Sequence, residues 1–385
     1  MRKSLNGKNI VLGITGSIAA VETVRLTHAL RRKGAVMTAV MSNAATRIIH
    51  PDALTYATGN DTIVTITGRV EHIMYCGDGG IADLLLIAPC TANTLCKVAA
   101  GIDDTTVTTY ATTAIGRGMP VILVPAMHQS MFRHPAVRDG IAKLESWGVV
   151  VVPPRIDEGK AKIAGTDDIV LFCERELLGK PLAGKKILIT SGPCKEEVDD
   201  VRVLTTRSSG RMGRELALQA FRLGAEVIIV HHAHLPCVRN VAVTSAAEMR
   251  AAVLQICSQE KPDLYISAAA ISDFAPEKFE GKMRSGEVRE IALHPLPKLI
   301  DEVITRYGVP SVAFKLGRAE EESALEQLRK GAVMVVVNEP ETMGSPEGEI
   351  MILDQDSRVN LKGTKEDLAA ALWDRILIRS GSFGW

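Results

Sequence analysis

The sequence predicts an α/β protein of two doubly wound domains, each a parallel sheet covered by helices, and three observations carry that expectation. Short β-branched runs alternate with longer amphipathic stretches. The alternation halts at the Gly/Pro/Lys segment Gly179-Lys180-Pro181-Leu182-Ala183-Gly184-Lys185 and then restarts. A chain of 385 residues with 46% hydrophobic content also suits two cores better than one or three. The expected domains are residues 1–184 and 185–385.

In the first half, residues 9–13 read as a strand, 19–33 as a helix and 35–41 as a second strand. Apolar runs at 84–88 and 121–124 flank another helix-like stretch, 93–100. Continuous apolar runs suit strands buried on both faces, and the helices between them supply the crossovers that parallel pairing demands. The second half repeats the architecture, with strands at 186–190, 226–231, 264–267 and 334–338 and helices at 213–223 and 249–259.

Composition narrows the function. Lys plus Arg and Asp plus Glu both number 45, so no overall field recruits nucleic acid or an anionic membrane, and a small-molecule enzyme fits. The seven cysteines (Cys76, Cys90, Cys96, Cys173, Cys194, Cys237, Cys257) form no C-x-x-C pair, which argues against a disulfide framework or zinc ribbon and for a reducing compartment. The basic N-terminal residues run directly into a strand-like segment without a signal peptide's apolar stretch, and no uncharged apolar run of about 18 residues occurs. A cytoplasmic protein is expected.

Three first-half segments fall at the carboxyl ends of expected strands, where open α/β sheets bind ligands. Gly13-Ile14-Thr15-Gly16-Ser17-Ile18-Ala19-Ala20 joins a strand to a helix, where free amides and the helix dipole favour a phosphate. Alone it equally suits a tight structural turn, since it lacks the G-x-G-x-x-G spacing of dinucleotide folds. Ala88-Pro89-Cys90-Thr91-Ala92-Asn93-Thr94 and Pro125-Ala126-Met127-His128-Gln129-Ser130-Met131 close two further strands. With His72, these segments resemble the homo-oligomeric flavin-containing cysteine decarboxylases over residues 8 to about 150, and within them the phosphopantothenoylcysteine decarboxylase branch. The resemblance implies a flavodoxin-like, Rossmann-like domain that binds FMN. Gly16, Ser17, Ile18 and Ser42 would hold its phosphate and ribityl chain, with Thr91, Ala92, Asn93, Thr94 and Ala126 lining the flavin. His72 would be the active-site histidine, suited to proton transfer while the substrate's cysteine thiol is oxidised by the flavin and its carboxylate leaves. Met131 would contact the substrate.

Two departures mark this half. The family's P-A-M-N asparagine, which binds the substrate carboxylate, is His128 here, as in the archaeal branch. The cysteine of the family's substrate-clamping flap is missing from residues 153–164, where Glu158-Gly159-Lys160-Ala161-Lys162 again resembles the archaeal branch. Lys160, Lys162, His128 and Cys76 are therefore the candidate proton donors, while Cys173, in a helix-like stretch, reads as a buried small hydrophobe.

In the second half, Ser208-Ser209-Gly210-Arg211-Met212-Gly213 opens a helix, and Ser, Gly and Arg at a helix N-terminus make an anion cradle or merely a capped start. Together with Thr190-Ser191-Gly192-Pro193-Cys194, Ser267-Ala268-Ala269-Ala270-Ile271-Ser272-Asp273 and Gly281-Lys282-Met283-Arg284, it resembles the phosphopantothenate–cysteine ligase domain over most of residues 185–375. Both halves thus resemble neighbouring steps of coenzyme A biosynthesis, fused in one bifunctional chain. The resemblance implies that Ser267, Ala268, Ala269 and Asp273 contact CTP, that Lys282 meets its triphosphate, and that Pro297, Lys298, Leu299, Ile300, Phe314 and Lys330 complete the nucleotide site. Mg²⁺ would bridge the phosphates, with protein ligands unassigned. Outside that context Lys282 and Arg284 read as a solvated basic loop. Thr206 replaces a family asparagine and cannot offer an amide's donor and acceptor together. Arg211 replaces the usual lysine, with a planar fork in place of a point charge.

The resemblance further implies homo-oligomers, with trimeric decarboxylase domains and dimeric ligase domains assembling into dodecamers. Two alternatives stand beside it: a flavoprotein decarboxylase with another substrate, and a non-catalytic flavin- or nucleotide-binding subunit.

Overall fold

The computed structural model describes residues 3–157, 160–284, 286, 290–317, 320–339 and 344–383, and it divides the chain into two compact units, 1–179 and 180–385. The Gly/Pro/Lys segment at which the alternation halts belongs, after Gly179, to the second unit. Leu182 is fully buried there, and its amide donates to the Leu223 carbonyl at 2.8 Å.

The first unit runs β1 (Asn9–Ile14), α1 (Thr23–Arg32), β2 (Val36–Met41), α2 (Pro51–Thr58), α3 (Glu71–Cys76), β3 (Leu84–Cys90), α4 (Ala92–Ala100), α5 (Thr106–Arg117), β4 (Val121–Pro125), α6 (Gln129–Phe132), α7 (Pro135–Ser146), β5 (Val150–Val151), a hairpin of β6 (Arg155–Asp157) with β7 (Lys160–Lys162), and α8 (Thr166–Leu177). Strands β1 to β5 form one parallel sheet in the order β2-β1-β3-β4-β5. Alternate side chains feed two cores: Ile10, Leu12, Leu84 and Leu86 on one face, Val11, Leu85, Ile87 and Leu123 on the other. The helix expected at 19–33 begins instead as a 3-10 turn, Ile18–Glu22, which Ser17 caps. Thr23 Oγ1 donates to the Ala20 carbonyl at 2.6 Å, where the turn gives way to α1. His72 lies on α3.

The second unit runs β8 (Lys186–Thr190), β9 (Lys195–Glu197), β10 (Val203–Thr205), α9 (Arg211–Arg222), β11 (Glu226–His231), β12 (Arg239–Ala242), α10 (Ala246–Glu260), β13 (Leu264–Ser267), β14 (Phe274–Pro276), β15 (Leu293–Pro295), α11 (Leu299–Tyr307), β16 (Ser311–Leu316), α12 (Glu321–Arg329), β17 (Met334–Asn338), β18 (Glu347–Leu353), β19 (Arg358–Thr364) and α13 (Lys365–Arg379). Its main sheet has eight strands in the order β12-β11-β8-β13-β16-β17-β18-β19. It is not wholly parallel as expected, because β18 runs antiparallel to both its neighbours. An antiparallel strand can leave one face wet, and β18 accordingly alternates in burial where the parallel strands β8, β11 and β17 are buried along all but one residue. Helix α13 packs on α9 through Trp373, fully buried, whose Nε1 donates to the Leu216 carbonyl at 2.9 Å. No helix among the described residues is long and apolar enough to cross a membrane.

Candidate functional site

In the first unit, strand order reverses between β1 and β3, the position where open parallel sheets bind ligands. Gly16 turns the chain out of β1, and a Cβ on it would stand 2.6 Å from Cβ of Ala44, so only a hydrogen fits. Ser17 accepts from the Ala19 amide at 3.4 Å, and Ser42, buried after β2, accepts from the Ala45 amide at 3.3 Å. Thr15 ties two loops together: its Oγ1 donates to the Pro89 carbonyl at 2.7 Å and accepts from the Thr91 amide at 3.0 Å. Thr91 caps α4 by accepting from the Thr94 amide at 3.2 Å. Ala92 and Thr94 are buried behind that cap and Asn93 is exposed. The Ala126 amide donates to the Cys90 carbonyl at 3.0 Å, bringing the loop after β4 alongside.

A cavity of about 940 Å³ opens at one side of these loops. Ser17, Ile18, Ala126 and His128 line it, together with Arg25, Arg155 and Lys162. Gly16, Ser42 and Thr91 to Thr94 are not among its lining residues. His128 caps α6, its Nδ1 accepting from the Ser130 amide at 3.3 Å, so the neutral ring carries its proton on Nε2. Met131, on α6, is half exposed.

His72 lies apart from this cavity, with its ring 6.4 Å from that of Tyr110 in an edge-on contact. Its Nδ1 and the Tyr110 hydroxyl are both buried without a hydrogen-bond partner among the described residues, and burial pushes the Tyr110 phenol up. Cys76 is fully buried, its thiol pushed up to about 12 by burial, and it does not reach the cavity. Cys173 is a buried core residue, as expected. Glu158, Gly159 and the Lys160 side chain lie outside the described residues.

In the second unit the reversal lies between β8 and β13. Gly210 starts α9 at φ +70°, and a Cβ on Gly213 would stand 2.4 Å from Ser191 Oγ, so glycines let the helix press against the β8 loop. Ser191 Oγ donates to the Gly210 carbonyl at 3.0 Å, and Ser208 Oγ accepts from the Gly210 amide at 3.3 Å. No side chain caps α9, which leaves its first amides for an anion. Facing them, the Ala270 amide donates to the Gly192 carbonyl at 2.9 Å and Thr206 Oγ1 to the Ala270 carbonyl at 3.4 Å.

These loops enclose a cavity of about 530 Å³. Thr206, Ser208, Ser209, Gly210, Arg211, Ser267, Ala268, Ala269, Asp273, Pro297, Lys298, Leu299, Ile300 and Phe314 all line it. Lys298 lies 3.7 Å from Asp273, and Arg211 Nη1 donates to the Gly344 carbonyl at 2.9 Å. Lys330 does not line it and is paired with Glu326 at 2.8 Å and Asp301 at 3.7 Å. Lys282 is exposed outside the lining, on a segment pinned by Asp199, whose Oδ2 accepts from the Met283 amide at 3.1 Å.

Sequence reasoning missed Lys315, Gln327, Asn338 and Lys365, which also line this cavity. Lys315 adjoins Phe314, and burial, then Lys298, holds its ammonium below the usual lysine range. Asn338 ends a strand that the sequence does announce. Gln327 and Lys365 lie in helices and carry no local signal.

Two open α/β sheets in one chain, each with a loop site at its order reversal, define a two-unit enzyme class. Family comparison agrees: residues 1–178 match the Flavoprotein model and residues 182–379 match the DNA/pantothenate metabolism flavoprotein C-terminal domain. The chain is 43% identical over 387 residues to the coenzyme A biosynthesis bifunctional protein CoaBC of Thermococcus kodakarensis, covering 97% of this chain and 96% of that one. It is 33% identical to the Methanocaldococcus jannaschii protein of the same name, over 97% and 94%. The Escherichia coli relative is 30% identical, over 98% of each. The chain belongs to the family of bifunctional coenzyme A biosynthesis enzymes, which join a flavoprotein decarboxylase to a ligase. A flavin is the cofactor class of that family. The first-unit loops fit such a group: a turn whose Cβ would fill the space, hydroxyls for a phosphate, and small residues beside the backbone.

Proposed function

We propose that the chain ligates first and decarboxylates second. In the second unit, CTP activates the carboxylate of 4′-phosphopantothenate as an acyl-cytidylate with release of pyrophosphate, and the amine of cysteine displaces CMP. In the first unit, the resulting 4′-phosphopantothenoylcysteine loses CO₂ to give 4′-phosphopantetheine. The observation that carries the ligase reading is the convergence of four separate segments on one cavity containing an uncapped helix N-terminus, Arg211, Lys298 and Lys315. Cations and free amides stabilise the charge that moves onto departing pyrophosphate. Asp273, Ser267, Ala268 and Ala269 hold the cytidine, and Pro297, Leu299, Ile300 and Phe314 border it. Thr206, Ser208, Ser209 and Gly210 face the acyl group and phosphates, and Lys282 and Lys330, which lie outside the cavity lining, would reach the phosphates as further cations only on moving toward it. Mg²⁺, held chiefly by phosphate oxygens, accompanies CTP.

In the first unit, Gly16, Ser17, Ile18 and Ser42 would hold the FMN phosphate and ribityl chain, and Thr91, Ala92, Asn93, Thr94 and Ala126 its ring. Bound FMN would supply the two-electron oxidation of the substrate thiol and the later return of that pair. His72 moves the thiol proton through its buried, unpaired Nδ1. His128 donates from Nε2 to the substrate carboxylate, and Met131 flanks it. Ile18 (77% exposed), Met74 (55%) and Met131 (48%) are apolar surface beside these residues, which supports trimeric first units; dimeric second units would complete a dodecamer. The cytoplasm is the proposed compartment.

Purified protein supplied with FMN, 4′-phosphopantothenate, cysteine and CTP should turn yellow and release pyrophosphate, CO₂ and 4′-phosphopantetheine. Absence of pyrophosphate sinks the ligase reading; absence of CO₂ from 4′-phosphopantothenoylcysteine sinks the decarboxylase reading.

A further inference from the structure

The wall of the second-unit cavity to which β17 and α13 contribute contains two polar groups left unsatisfied among the described residues. Lys365, the first residue of α13, is only 7% exposed and borders the cavity. Its ammonium has no hydrogen-bond or ion-pair partner among the described residues. Asn338, at the end of β17, borders the same cavity with its Oδ1 buried and unbonded among the described residues.

The lysine's position is built rather than accidental. An ideal Cβ on Gly348 of β18 would stand 2.4 Å from Lys365 Nζ, so a glycine makes room for the ammonium. The acids nearest in sequence are engaged elsewhere: Glu366 lies 4.0 Å from Arg222, and Asp367 Oδ2 accepts from Thr364 Oγ1 at 2.6 Å. Two local effects oppose a cation here. The helix N-terminus carries the positive end of the dipole, and burial without a counter-charge is costly. Burial accordingly lowers the Lys365 pKa. An anion in the cavity removes both penalties at once, and Lys315 on the adjoining strand β16 adds a second cation to the same space.

We propose that Lys365 is a binding residue of this cavity that grips a phosphate group of the bound ligand. The inference rests on the reading that the cavity takes CTP and 4′-phosphopantothenate, and the ammonium recognises the chemistry that they share.

The test titrates the full-length protein, K365M and K365R by calorimetry with CTP, CMP and 4′-phosphopantothenate in turn. Decarboxylation of 4′-phosphopantothenoylcysteine and thermal unfolding serve as controls. K365M should lose roughly tenfold or more in affinity for one phosphate ligand, the scale of a lost charged hydrogen bond. K365R should recover most of it, with decarboxylation unchanged. Weakened CTP with unaltered CMP assigns the grip to the outer phosphates, and weakened 4′-phosphopantothenate assigns it to the phosphate of the acid. If K365M unfolds, G348A takes its place, because the added methyl displaces the ammonium without removing charge, and the same loss is expected. Wild type that binds and releases pyrophosphate, with variants of equal affinity for all three ligands, overturns this inference alone. Wild type that binds none of them overturns the ligase reading and this inference with it.

Discussion

The two units apply one topological rule and gather their sites differently. In the second, most residues named from the sequence line a single cavity of about 530 Å³. In the first, the phosphate-loop and α4 residues cluster through Thr15, Ser17, Ile18, Ala126 and His128 face a separate cavity of about 940 Å³, and His72 sits on α3 against Tyr110. Segments that leave successive strand ends converge when they border one cleft. They stay dispersed when the chain's remaining surface, including exposed Ile18 and Met131, is left without a cover from the same chain. The second unit therefore offers one pocket, and the first a set of separate surfaces.

The largest effect expected from breaking this contrast is on stability. Trp373→Ala should cost the second unit about 3–5 kcal/mol, because a buried indole and its bond to Leu216 are lost together. Denaturant unfolding should then show the second-unit transition displaced and the first unmoved. Next, Gly16→Ala forces a methyl into space held by Ala44 and should cost about 1–3 kcal/mol locally. The readout is flavin content, expected to fall while pyrophosphate release is kept.

A pH slope should separate the units more finely. Burial alone would raise the Asp199 carboxyl, but the amides of Val201, Met283 and Arg202 and the Arg202 guanidinium hold it well below the usual carboxylate range. Such a group stabilises the fold fully above its unfolded value of about 4 and loses that contribution as pH falls through its lower folded value. The second-unit melting temperature should drop as pH falls below about 4, and D199N should flatten that drop. The smallest effect is expected from Thr206→Asn. Restoring an amide should raise ligation severalfold, about 1 kcal/mol, and unchanged kcat would show that the missing amide does not limit ligation.

How much of this was legible depended on whether a feature is local. Strands 226–231, 264–267 and 334–338 coincide with β11, β13 and β17, since a strand buried on both faces writes itself as an apolar run. Strands β18 and β19 were not read because EGEIMIL and RVNLKGT mix polar and apolar residues around Gly348 and Gly363. The glycine loops were legible, as close backbone approach leaves a local signature in Gly210 and Gly213. Lys365 was not: the role proposed for it depends on a glycine seventeen positions earlier and on the lack of a counter-charge among the described residues, neither of which a helix start advertises. Lys282 was named from its motif, yet its distance from the cavity depends on the Asp199 clasp.

Thr15 gives the first unit a property of a different kind. One hydroxyl both donates to the Pro89 carbonyl near the end of β3 and receives the Thr91 amide just beyond it, so the turn after β1 is stitched to the end of β3 at a single atom. Valine has nearly the same shape and can make neither bond. Thr15→Val would therefore keep the packing and cut both ties at once, leaving the turn after β1 and the end of β3 free to part.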